Sequence, residues 1–347
     1  MRILLIGGTG FIGSFLAPEL QRLGAEVATL SRGATAVPHA DGLTRIIADR
    51  KRLRDALPHV RAFAPDVIVD LVLSSGAQAR ELMNVARGIA GRVVALSSID
   101  VYRACGVLHG LEEGPLEPVP LTETSALRTK LSTYPPAQIA VLQQVFPWLD
   151  DEYDKIPVED AILADSSTAG TVLRLPMIYG PGDALHRLWP LVKRFDDGRR
   201  TIVMDDTLAA WRGPRGYVEN VALAIALAAT SDRAAGRVYN VAEPVAYSEL
   251  EWARKVAAAA RWTGEIVIVP IDRAPEHLRM PGNLGQHWVA DSTRIRTELG
   301  FAERVPVDEA IRRTIAWQRA NPPSIPMAVF DYAAEDAVIE KIGSRAS

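Results

Sequence analysis

Residues 2–30 read Arg2-Ile-Leu-Leu-Ile6, Gly7-Gly-Thr-Gly-Phe-Ile-Gly13, Ser14-Phe-Leu-Ala-Pro-Glu-Leu-Gln-Arg-Leu-Gly24 and Ala25-Glu-Val-Ala-Thr-Leu30. The first block is a short apolar run of strand type, and the second is a glycine-rich turn. In the third, Phe15, Leu16, Leu20 and Leu23 recur at three- and four-residue intervals, the period of a helix face. Gly24 stops that helix as a C-terminal cap would. A second strand, 26–30, follows at once. The stretch is a complete strand–helix–strand unit.

The same alternation continues outward. Residues 43–48 read as a strand, 52–63 as a helix, 67–73 as a buried strand, 77–90 as a helix and 93–97 as another strand. Strands that alternate with helices in this way specify a doubly wound parallel sheet, and near-continuous apolar strands agree because both faces are covered. The expected fold is therefore α/β, a Rossmann-type doubly wound parallel sheet. Residues 103–152 break the rhythm with a run of glycines and prolines and one short helical pattern at 138–146. A segment this irregular is either a lid or active-site wall, or a solvated excursion. A helix at 158–164 and a strand at 171–175 close the first domain, 1–175.

Residues 176–322 read as a smaller C-terminal substrate lobe interleaved with the sheet. Its helices are expected at 218–229, 248–260 and 307–319 and its strands at 238–241 and 265–269, with 284–290 a further short segment. Residues 323–347 form a tail. Neither an internal repeat nor a low-complexity tract is present.

Composition narrows the function classes. Of 347 residues, 48% are hydrophobic and 23% charged, which excludes a disordered or fibrous chain. No apolar run approaches the roughly 18 residues needed to cross a bilayer. The apolar run before Gly7 is also too short for a signal peptide. A single cysteine, Cys105, fits a reducing cytoplasm. A net charge of −3 gives no drive towards nucleic acid or anionic lipid. These features point to a cytoplasmic enzyme with a small-molecule substrate and no membrane or nucleic-acid partner, and a homodimer is the default assembly.

Gly7, Gly10 and Gly13 join a strand directly to a helix. Glycines let a pyrophosphate approach the main chain, and the helix N-terminus offers it N–H groups and a positive dipole end. The second strand ends Thr29-Leu30-Ser31-Arg32-Gly33. It has no carboxylate to hold a ribose 2′-hydroxyl. Ser31 donates a hydrogen bond and Arg32 supplies a cation for a 2′-phosphate, so NADP is favoured and NAD is the alternative.

Taken together, these residues resemble the extended short-chain dehydrogenase/reductase family, which includes NAD(P)-dependent epimerases and dehydratases. The resemblance covers nearly the whole chain. It makes 7–13 the cofactor loop, adding Thr9, Phe11 and Ile12 to its glycines. Ala48-Asp49-Arg50 is similar to the adenine-contacting turn. The strand 66–72 ends in Leu71 and Val72 under the cofactor. Ser97-Ser98-Ile-Asp-Val-Tyr102 resembles the strand end that carries the catalytic hydroxyl, here Ser98. Asp100 falls where the dehydratase branch has an acidic group. Arg174-Leu-Pro-Met-Ile-Tyr-Gly-Pro-Gly-Asp183 resembles the segment that passes the nicotinamide at Pro176 and enters the substrate pocket at Tyr179. Arg215-Gly-Tyr-Val-Glu-Asn220 is similar to a later substrate-domain signature.

The family's Tyr-x-x-x-Lys pair is not intact. Lys155 and Glu159 match the family's lysine and its following glutamate, which places Asp151 where the tyrosine belongs. Tyr153 is two residues from Lys155, and two helical steps rotate about 200°, so within a regular helix the pair points apart. Pro157, tolerated in a first turn, lets the helix begin near Lys155 and leaves Tyr153 on a loop. Three readings stand: Tyr153 is a relocated acid/base, another residue such as Asp100 does that work, or hydride chemistry is lost. Lys155 is expected to bind the nicotinamide ribose.

Further substrate contacts are expected from His186, Arg187 and Arg215, with Trp211, Arg212 and Gln286-His287-Trp288 as neighbours of the pocket. No metal-ligand spacing is present. The expected activity is that of an NADP-dependent oxidoreductase or epimerase/dehydratase-type enzyme acting at a carbinol or carbonyl carbon, a nucleotide sugar being one candidate substrate. The alternative is a non-catalytic NAD(P)-binding regulatory or interaction protein.

Overall fold

The computed structural model describes residues 1–33, 42–325 and 328–346. Strands β1 (Arg2–Ile6), β2 (Glu26–Ser31), β3 (Thr44–Ile47), β4 (Val67–Asp70), β5 (Arg92–Ser98) and β6 (Ala169–Leu175) follow in chain order. They are succeeded by β7 (Met177–Tyr179), β8 (Thr201–Asp205), β9 (Arg215–Tyr217), β10 (Val238–Asn240) and β11 (Glu265–Val269). Seven of them form one sheet in the order β10-β6-β5-β4-β1-β2-β3, every neighbouring pair parallel. Strand order reverses between β1 and β4. In such sheets the crevice at that point, beyond the carboxyl ends of the strands, receives the ligand.

Alternation along β1 builds a core on each face. Ile3 and Leu5 join one apolar cluster, whereas Leu4 and Ile6 join the other, and all four are buried. One face is covered by helices α1 (Gly13–Arg22) and Val218–Thr230. The other carries α2 (Leu57–Phe63) and α3 (Gly76–Ala86). The strand β10 comes from the C-terminal half of the chain, so the lobe and the sheet share their chain path. In the lobe, β8 pairs with β11 and β7 with β9, each as a two-stranded parallel ribbon.

Several elements differ from expectation. The helix expected at 52–63 is a 3-10 segment, Arg50–Ala56, followed by α2, because Arg52 departs from helical geometry and Pro58 starts a new first turn. The strand expected at 67–73 stops at Asp70, whose Oδ1 accepts the Val72 N–H at 3.0 Å and turns the chain. The helix expected to reach residue 90 ends at Ala86, two residues before Gly88 with φ +70°.

The irregular excursion contains a buried helix, α4 (Arg103–Leu108), before the helix α5 (Pro136–Val145). Gly106 obscured α4 in the sequence because glycine is a poor helix former. A Cβ there would lie 2.3 Å from Glu112, so close packing keeps the glycine. The next helix, α6 (Ile156–Leu163), begins one residue after Lys155, with Pro157 in its first turn.

Candidate active site

A cavity of about 1260 Å³ runs along the carboxyl ends of the sheet. A single small-molecule site is roughly 300–1000 Å³, so there is space for a dinucleotide and a substrate together. Its first wall is the loop after β1. Gly7 turns the chain at φ +82°, a region in which only glycine is unstrained. Gly13 lets α1 rest on that loop, since a Cβ at this position would lie 2.5 Å from the Gly8 backbone. The result is a cradle of main chain and a helix N-terminus, which fits a pyrophosphate.

All the residues expected at the cofactor lie on the cavity wall. They are Gly7, Thr9, Gly10, Phe11, Ile12, Gly13, Ser31, Arg32, Asp49, Arg50, Leu71, Val72, Lys155 and Pro176. Arg32 is exposed and forms no ion pair among the described residues. Lys51, which sequence reading missed, lines the same cavity. Arg50 is held from behind by Asp70 at 2.8 Å and by the Gln78 carbonyl at 2.9 Å.

The residues expected to be catalytic come together where β5 meets the loop before α6. Ser98 ends β5, and its Oγ accepts the Asp100 N–H at 3.1 Å. Tyr153 sits on the loop, and its hydroxyl donates to Asp100 Oδ2 at 3.0 Å. Lys155 caps α6. Its ammonium donates to the Leu96 carbonyl at 3.1 Å and to the Leu73 carbonyl, and lies 5.6 Å from the Tyr153 ring centre. Burial pulls the Lys155 pKa down to about 8.

Asp100 lies behind Tyr153. It is buried, and its Oδ1 finds no hydrogen-bond partner among the described residues. Burial pushes its carboxyl up, against the opposing pull of Arg128 and Lys155. Burial first, and the Asp100 charge second, raise the Tyr153 phenol well above its usual range. Tyr134, also missed in the sequence, packs its ring tilted against Tyr153, centres 5.8 Å apart, and brings its hydroxyl to 3.5 Å from Asp100. Only its position as an aromatic residue in the excursion pointed to it. Asp151 is exposed and bonds Gln143 at 2.7 Å, off the cavity.

The expected substrate residues divide. Arg187 lies on the wall, ion-paired with Asp183 at 2.7 Å. Tyr179, His186 and Arg215 do not line the cavity. Tyr179 is packed into the core and donates to Glu243 at 2.8 Å. His186 stacks on Trp317 at 5.2 Å, and burial lowers its pKa. Arg215 lies 4.5 Å from the Trp252 ring and pairs with Glu249. Of the neighbouring candidates, Trp211 and Trp288 line the cavity, whereas Arg212 pairs with Glu251 at 3.0 Å. Cys105 is buried, and burial raises its thiol pKa, which leaves it a poor nucleophile.

Residues 3–242 match the NAD dependent epimerase/dehydratase family. The chain belongs to that family. It is an NAD(P)-dependent enzyme of the epimerase, dehydratase or reductase type, and the seven-stranded sheet is that family's fold. A dTDP-6-deoxy-L-talose 4-dehydrogenase (NAD(P)(+)) of Kitasatospora kifunensis is 26% identical over 92% of this chain and 96% of its own. A 3-diazoavenalumate denitrifying reductase of Streptomyces sp is 27% identical over 54% of this chain. That match spans only 59% of the reductase. Among solved structures, a dTDP-glucose 4,6-dehydratase of Bacillus anthracis in complex with NAD superposes with a TM-score of 0.66 at 16% identity, covering 92% of this chain and 97% of that one. No described helix is long and apolar enough to cross a membrane.

Proposed function

We propose that the chain uses NADP in preference to NAD to oxidise or reduce a small molecule at a carbinol or carbonyl carbon, with Tyr153 as the group that exchanges the proton. The observation that carries this reading is the 3.0 Å bond between Tyr153 and buried Asp100, on the cavity wall beside Ser98 and Lys155. When bound, the nicotinamide supplies the hydride donor or acceptor.

Ser98 offers its hydroxyl to orient the substrate oxygen. In the reducing direction Tyr153 passes its proton to that oxygen and receives one from protonated Asp100. In the oxidising direction the same two transfers reverse, ending on the Asp100 carboxylate. Tyr153 stays a phenol throughout, which suits a pKa that burial has raised. Arg128 and Lys155 supply positive charge to the Asp100 carboxylate once its proton has left. Asp100 thus acts through Tyr153 as a positioning and proton-holding group. Lys155 binds the ribose hydroxyls.

Arg32 and Lys51 carry the NADP preference, because a 2′-phosphate between them gains charge-assisted hydrogen bonds of roughly 1.5–3 kcal/mol each. Arg32→Ala is therefore expected to weaken NADPH binding by about 10- to 100-fold and NADH binding by less than about twofold. Calorimetric titration of both dinucleotides checks this, and equal losses for the two would refute it.

Lys155 makes binding depend on pH. Its ammonium is present below about 8 and is lost as pH rises through that value. Dinucleotide affinity is expected to fall across that window, whereas Lys155→Met binds weakly with a flat profile. A wild-type affinity that is constant through the window contradicts the assignment.

A further inference from the structure

The substrate end of the cavity lies beyond Ser98 and Tyr153, and it is apolar. Leu108, Trp211 and Leu284 form a buried cluster there, with Leu208, Met280 and Trp288 packed against it. All of these but Leu284 line the cavity. Both indole N–H groups are already used: Trp211 donates to the Gln286 carbonyl at 3.0 Å and Trp288 to the Ile99 carbonyl at 3.1 Å. The two rings therefore offer the cavity carbon surface. Tyr134 adds a third ring.

The two arginines at this end already hold protein partners. Arg187 is tied to Asp183 and to the Ile178 carbonyl, each at 2.7 Å. Arg279 bonds the carbonyls of Ala274 and Asp272. Glu249 lines the cavity, and its partner Arg215 lies outside the lining. A nucleoside diphosphate needs free, forked cations to replace the water on its phosphates. Here it would meet two engaged arginines and a negative charge, whereas a flat aromatic group would stack without desolvating any charge.

We propose that this end binds a planar aromatic group, so that the substrate is an aryl carbonyl or aryl carbinol compound without a phosphate. The inference rests on the cofactor-dependent reading above and adds the substrate class to it. The hydride balance is unchanged: the aryl carbonyl carbon gains the hydride, its oxygen gains the proton from Tyr153, and the reduced nicotinamide becomes oxidised.

The test is calorimetric titration of protein already saturated with NADP+, a form in which an aldehyde cannot be reduced. The probes are 2-naphthaldehyde and UDP-glucose. Saturable binding of the aldehyde, at least about tenfold tighter than UDP-glucose, is expected, with a further loss of about tenfold in Trp288→Ala. Because that truncation removes packing, Met280→Arg is the second variant; it is expected to weaken the aldehyde and strengthen UDP-glucose while NADP+ still binds. Tighter binding of UDP-glucose, or binding of neither probe to the NADP+-loaded protein, overturns the substrate class alone. Failure of NADP+ to bind at all overturns the cofactor reading and this proposal with it.

Discussion

Tyr153→Phe is expected to lower turnover by about 10²- to 10⁴-fold, the range typical of a lost acid/base group. NADPH affinity should be unchanged, because the hydroxyl is bonded to Asp100 and to no residue of the glycine loop. The comparison that makes the result specific is Asp151→Asn. Asp151 stands at the family's tyrosine position, but it is exposed and bonded to Gln143, so its loss should leave turnover within about twofold of wild type. Asp100→Asn keeps the shape and removes the proton store. It should slow turnover and also alter the pH profile, since the group whose carboxyl burial pushes up no longer titrates. Steady-state rates on whichever member of a carbonyl panel the wild type reduces, with dinucleotide titrations in parallel, measure all three. A Tyr153→Phe rate within a few-fold of wild type would remove Tyr153 from the chemistry.

Glu159→Ala is expected to cost about 3–5 kcal/mol of folding stability, since it leaves a buried cation without its partner. Glu159 takes two hydrogen bonds from Arg174, at 2.9 and 2.7 Å, and both side chains are nearly inaccessible. The same carboxylate accepts the Ser97 hydroxyl. Arg174 goes on to Tyr102 at 2.9 Å, and Tyr102 donates to Asn240 at 2.6 Å. One network therefore ties β5, β6 and β10 to α6, directly beneath the Ser98 and Lys155 backbone. The double variant Glu159→Leu with Arg174→Met removes both charges and should recover much of the loss. Urea unfolding of the two variants checks this. A single-variant loss under about 1 kcal/mol would mean that water reaches the pair.

Glu159 matches the family pattern by its spacing from Lys155, yet the structure gives it a supporting position under the site. Sequence spacing identified the residue and only packing showed what it touches.

What was legible in the sequence is local. The glycine loop, its strand and its helix are consecutive, so spacing alone placed Gly7, Gly10 and Gly13, and the end of β2 placed Arg32. Pro157 is also a local signal, and it correctly put the start of α6 after Tyr153. Contacts between distant segments were not legible. The Tyr153–Asp100 bond spans 53 positions, and Tyr134 reaches Asp100 across 34 from a segment with no periodicity. Tyr179, His186 and Arg215 follow motifs near the pocket, but each turns towards the core or an ion pair. Such a choice depends on which neighbours are buried, and the motif does not contain that information.

The most direct test of the account is a crystal structure of the NADP+-bound protein, read at one distance. The prediction is that the Tyr153 hydroxyl and Ser98 Oγ converge on the space beside the nicotinamide C4, with the hydroxyl within about 4–5 Å of that carbon, close to a near-attack arrangement. Asp151 should remain at the surface. A structure with Asp151 swung into that space, or with no tyrosine hydroxyl near the nicotinamide, would contradict the assignment of proton transfer to Tyr153.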